Sequence, residues 1–119
     1  MILLLFAAAA AIPSPEEFRV TAIGRCWTEC ITAYSGDMEG DSTTLSDEAK
    51  FELANSVCAA FRNDYRSAAL QYAPIYLRRD GVKSVGPDVS NLLAEKMLDL
   101  FERNIKAGVL DGMKRKKEK

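Results

Sequence analysis

The sequence predicts an all-α fold: a small bundle of three helices, with room for a fourth short element, built on a disulfide-linked antiparallel hairpin. Three observations carry that prediction. Apolar residues recur at steps of three and four along three long stretches. Each stretch follows a residue suited to capping a helix. No segment alternates apolar and polar residues for long enough to make a strand. The chain has 119 residues, 48% of them apolar, which is enough for one modest core but not for two domains.

The first helix opens at "SPEEF". Ser14 can cap it, Pro15 suits the first helical position, and Glu17 completes a capping box. Two acids in the first turn also complement the helix dipole. Val20, Ile23, Trp27, Ile31 and Tyr34 then form its apolar stripe, and Ser35-Gly36 supplies a natural stop. Gly24 interrupts this helix at a cost of up to about 1 kcal/mol relative to alanine. A residue without a side chain there leaves room for a neighbour.

Residues 36–46 read as a polar loop, after which Thr44 or Ser46 caps a second helix. Its stripe of Phe51, Ala54, Cys58, Phe61, Tyr65, Ala68 and Tyr72 is the most regular in the chain. Pro74 is expected to kink or end it, with another turn beyond the kink before Gly81 stops it. The linker "DGVKSVGP" leads to a third helix capped by Asp88 or Ser90. Val89, Leu92, Leu93, Met97, Leu100, Phe101 and Ile105 give it a face broad enough to touch both other helices. The expected fourth element lies around Val109 to Met113, and residues 114–119 are expected to form a basic, frayed tail.

The chain begins with an apolar run, residues 1–11, ending in small residues that a signal peptidase reads. This stretch is read as a leader cleaved at about Ala11, leaving a single domain over residues 12–113. At about 20 apolar residues for a bilayer crossing, the run is too short to span one. The sequence therefore predicts a secreted, extracellular protein whose cysteines are oxidised.

Three cysteines leave one unpaired: Cys26, Cys30 and Cys58. Laying the first two helices antiparallel aligns Tyr34 with Phe51, Ile31 with Ala54, Trp27 with Cys58, Gly24 with Phe61, and Val20 with Tyr65. Side chains lean toward the N-terminus of their own helix, which brings Cys30 toward Cys58 and carries Cys26 away. The reading favours Cys30–Cys58 over Cys26–Cys58. The pattern also resembles half of a twin C-x3-C helical hairpin, in which two such segments on facing helices form an inner and an outer bridge. Arg62 occupies the place where that motif has the partner of Cys26. Cys26 then has three readings: a buried inert thiol beside Trp27, a link to a second molecule, or a thiolate activated by Arg62 or Arg25.

Function classes narrow by exclusion. With no histidine, the chain has no imidazole base, no Ser-His or Cys-His nucleophile pair and no imidazole zinc ligand. The cysteine spacing does not match zinc knuckles either. Sixteen basic and seventeen acidic residues nearly cancel, so no global field favours nucleic acid. Asp37, Glu39, Asp41 and Glu48 sit at the ligand spacing of a calcium loop, but Ser42 replaces the turn glycine. No enzyme, cofactor or metal is expected, nor any membrane association once the leader is removed. The expected role is binding, as a protein-interaction module or a Cys26-linked homodimer. The alternative is a carrier of a small apolar ligand, lipid or pheromone-like, lined by Trp27, Phe61, Tyr65 and Tyr72.

Overall fold

A computed structural model describes residues 14–39 and 44–118. The predicted leader with its cleavage point, and Asp41 of the acidic loop, lie outside these residues. Four helices follow in order: α1 (Pro15–Glu39), α2 (Asp47–Val57), α3 (Ala59–Arg79) and α4 (Pro87–Lys117).

α1 starts as its sequence dictates. Glu17 donates its backbone N–H to Ser14 Oγ at 3.1 Å, filling one of the orphan donors of the first turn. Its buried face is Val20, Gly24, Trp27, Ile31 and Ser35, so the expected stripe is rotated slightly. Tyr34 turns out to solvent and Ser35 turns in. The helix also runs past Ser35-Gly36 to Glu39, because a glycine can stop a helix without having to.

α2 and α3 are the two halves of the single second helix expected from the sequence. Ser46, not Thr44, is the cap, accepting from Ala49 N–H at 3.1 Å. The break falls at Cys58, whose φ of −91° and ψ of 16° leave the helical region. Cys58 N–H closes α2 on Ala54 O, and Phe61 N–H opens α3 on Cys58 O, each at 3.0 Å. Neither proline nor glycine marks this break. Pro74, by contrast, sits inside α3 without ending it. Leu70, whose carbonyl loses its helical donor there, stands at an exposed position where water can serve it. Gly81 then ends the segment with a φ of 88°, a left-handed conformation suited to glycine.

α4 is one continuous helix, so the fourth helix arises from the break at Cys58 and not from a separate element at Val109 to Met113. Its cap is Gly86 followed by Pro87, rather than Asp88 or Ser90. It also extends through Lys117, so most of the basic segment is helical. Ser90, Ala94, Leu98, Ile105 and Met113 are its buried residues, while Val89, Leu92 and Leu100 are exposed. Small side chains make the close contact, and the broad apolar face is turned by a fraction of a turn.

Ion pairs record the directions. Glu17 meets Arg79 at one end of the α1–α3 pair, and the Cys30–Cys58 bridge lies at the other, so those arms are antiparallel. Glu95 meets Arg66, Glu102 meets Arg62, and Asp47 meets Lys117, so α4 runs back antiparallel to α2–α3. α1 and α4 are therefore parallel. The exposed pairs among these contribute little energy and matter here as markers of register, whereas Arg62–Glu102 is partly buried. The core lies on the common axis, where Trp27, Phe51, Ile31, Leu98 and Cys58 are the largest fully buried residues. About half of the expected helical stripes survive unchanged within it.

Candidate functional site

The bridge joins Cys30 to Cys58, with Cα atoms 6.1 Å apart, as the leaning of side chains predicts. Cys26 is free and exposed, so the buried-thiol reading fails. One turn separates Cys26 from Cys30, and the bridge fixes that face of α1 against the α2–α3 junction. Arg62 does not attend Cys26. Its Nε donates to Glu102 Oε2 at 2.7 Å, across to α4.

Behind the bridge lies a stack of rings. Trp27 stands 5.8 Å from Phe101 and 5.7 Å from Tyr65, and Tyr65 stands 4.8 Å from Phe101, centroid to centroid. Gly24 admits this stack, but its neighbour is Phe101 of α4 and not Phe61. A Cβ there would lie 2.7 Å from Phe101 Cζ. Three of the expected ligand-lining residues thus have other surroundings. Trp27 and Tyr65 fill the core, and Tyr72 packs edge-on against Tyr76 at 6.0 Å. Phe61 is half-buried against the core cluster.

A polar network borders the stack. Trp27 Nε1 donates to Asn55 Oδ1 at 3.1 Å, and Asn55 Nδ2 donates to Glu102 Oε2 at 2.8 Å. Burial pushes the Glu102 carboxyl up, but the hydrogen bonds from Arg62 and Asn55 outweigh it and hold the pKa below the ordinary carboxylate range. The same hydrogen bond to Glu102 raises the Arg62 guanidinium against the opposing effect of burial. Burial also raises the Tyr65 hydroxyl. Asn55 and Glu102 carried no motif in the sequence. Their only signal is indirect: a buried indole N–H needs an acceptor, and Asn55 lies about one turn before Cys58, the residue level with Trp27.

The concave feature that sequence reasoning missed lies between α1 and α4. It holds about 270 Å³ and is mostly apolar. Thr28, Thr32, Ser35 and Gly36 form the α1 side. On α4 it is lined by Ile105, Gly108, Val109, Gly112 and Met113, with Asn104 and Lys116 at its two ends. It exists because side chains are missing. A Cβ on Gly36, Gly108 or Gly112 would meet nothing within 4 Å. Ser35 is 3% exposed, and its hydroxyl has no hydrogen-bond partner. Cys26 precedes Ser35 by nine residues, about two and a half turns, which puts thiol and groove on opposite sides of α1.

Among the described residues no group of histidine, cysteine, aspartate and glutamate could hold a metal ion. No helix among them is long and apolar enough to cross a membrane. Fold and site together define a disulfide-tied helical bundle with an exposed thiol at Cys26 and an apolar groove between α1 and α4. No protein-family model, curated protein or solved structure matches the chain.

Proposed function

We propose that this is a small exported protein that works by binding, joined to a second copy or to a protein partner through the α1 face that carries Cys26. The observation behind this reading is the exposure of Cys26 in a chain whose other two cysteines are bonded to each other. An odd, accessible thiol in an oxidising compartment tends toward an intermolecular bond. The apolar leader supplies the compartment in this reading. Intact mass of secreted material, with and without reductant, tests it. Doubled mass, or one added partner chain, that reductant and Cys26→Ser both abolish is the expected result. A monomer with a free thiol sinks the covalent reading, and retention of Met1 sinks export.

A second reading, a carrier of a small apolar ligand, is favoured by the α1–α4 groove. Its lining is not the aromatic set of Trp27, Phe61, Tyr65 and Tyr72 but the small and aliphatic residues of the two parallel helices. Native mass spectrometry of the purified protein should then show a co-purified small molecule.

A further inference from the structure

The geometry points to the α1–α4 groove as the site of a medium-chain anionic amphiphile, a fatty-acid-like carboxylate with its head between Ser35 and Lys116. This inference rests on the carrier reading and gives it a ligand class.

The groove runs from Asn104 to Lys116, twelve residues of α4, or about 18 Å at the helical rise. Its volume of about 270 Å³ falls just under the usual range for small-molecule sites, ~300–1,000 Å³. It is a single slot between parallel helices, so it suits one unbranched tail of medium length.

Two polar groups mark the end for the head. Three hydroxyls elsewhere on α1 bond the carbonyl four residues back: Thr21 to Glu17, Thr28 to Gly24, and Thr32 to Thr28. Ser35 does not, although it is the most buried of the four. A buried hydroxyl left without a partner is uncommon, and rotation of the Ser35 side chain toward the groove it lines would let a ligand oxygen satisfy it. The second group is Lys116. In the last turn of α4, Arg115 pairs with Asp111 and Lys117 with Asp47, whereas Lys116 lines the groove with no acidic partner among the described residues. Lysine side chains lean toward the helix N-terminus, which carries the Lys116 ammonium back toward the level of Gly112 and Ser35. The paired ends of α1 and α4 present carbonyls, which disfavour an anion, and Lys114 and Lys116 of that turn oppose this effect. Away from this end the lining is mostly aliphatic apart from Asn104 at the far end, and the hydroxyls of Thr28 and Thr32 are already bonded to backbone.

Calorimetric titration with decanoate and decanol, below micelle formation, tests the assignment. One decanoate should bind per chain, at least tenfold more tightly than decanol. Ser35→Ala should weaken decanoate about tenfold without lowering the melting temperature of the unliganded protein, because the lost hydroxyl had no partner. Lys116→Gln should abolish the preference for the carboxylate while leaving decanol binding intact. Gly112→Leu should fill the slot and block both ligands while the protein stays folded, with Gly108→Met as a second block. Failure of the wild-type protein to bind either ligand overturns the carrier reading itself. Equal affinity for both, or indifference to Ser35→Ala and Lys116→Gln, overturns the head-group assignment and leaves the carrier reading standing. A Gly112→Leu variant that loses a dimer and never bound ligand identifies the occupant as a second copy and overturns the inference.

Discussion

Gly24 and Phe101 are a matched pair: the missing side chain of one is the seat of the other's ring. A Cβ at position 24 would come within 2.7 Å of Phe101 Cζ, a distance real contacts do not show. Helix propensity alone predicts that Gly24→Ala stabilises α1 by up to about 1 kcal/mol. Packing predicts the reverse, since Phe101 is stacked on both Trp27 and Tyr65 and cannot swing aside freely. Overpacking of this kind costs about 1–3 kcal/mol and should win. Chemical denaturation of Gly24→Ala should therefore show a net loss. In a Phe101→Leu background the same substitution should become neutral or stabilising. A gain in the wild-type background would refute the pairing.

The Cys30–Cys58 bridge should hold a large share of the stability. It closes a loop of 28 residues' separation, which the chain-entropy model values at about 3.5 kcal/mol. Cys30→Ser and Cys58→Ser should each lose about that much unfolding free energy in chemical denaturation, and reductant should have no further effect on either. Cys26→Ser should leave the monomer's stability within about 0.5 kcal/mol of wild type, because an exposed side chain away from special features rarely contributes more. A loss in Cys26→Ser equal to that in Cys30→Ser would contradict the pairing.

The sequence made the fold legible where side chains are large and periodic, and obscured it where they are small. Spacing alone places Val20, Trp27, Ile31, Phe51, Cys58, Tyr65 and Tyr72 in the core, and the lean of side chains on antiparallel helices gives the cysteine pairing. Ser35, Ser90 and Ala94 are just as buried, but burial of a small residue leaves no hydropathy signal. The same blindness hid the groove, which is made by three glycines that fill no space. Proline suggested a break at position 74, yet the break is at Cys58, where the local sequence offers no breaker. The polar network was hidden for another reason. Its members come from α1, α2, α3 and α4, and only the assembled tertiary structure brings Asn55 to Glu102.

Gly81 should resist replacement. Its φ of 88° lies in the region that a Cβ disfavours, and nothing crowds the position otherwise. Gly81→Ala should therefore destabilise by about 1 kcal/mol through backbone strain alone. Gly36→Ala offers the contrast. That glycine is helical, has open space around it, and should gain from alanine's propensity. Thermal melts of the two variants should move in opposite directions. Parallel shifts would mean that something other than backbone conformation governs position 81.

The acid limb of stability should report on Glu102. Its carboxyl is held below the ordinary range by Arg62 and Asn55 once the opposing effect of burial is overcome. A carboxylate whose pKa falls on folding adds stability that is fully present above its unfolded value, about 4.3, and is lost as pH drops through the lower folded value. Glu102→Gln removes the charge but keeps a shape that can still accept from Asn55. It should cost about 1.5–3 kcal/mol near neutral pH, the range for a hydrogen bond to a charged partner. As pH falls through that lowered folded value the wild-type carboxylate protonates too, so the gap between the two proteins should narrow there. Asn55→Ala should also destabilise by about 1–3 kcal/mol, because it strands the fully buried Trp27 indole N–H without its acceptor. Urea titrations of the three proteins across the acid range measure all of these differences. A Glu102→Gln gap that stays constant with pH would show that Glu102 acts through its shape and not its charge.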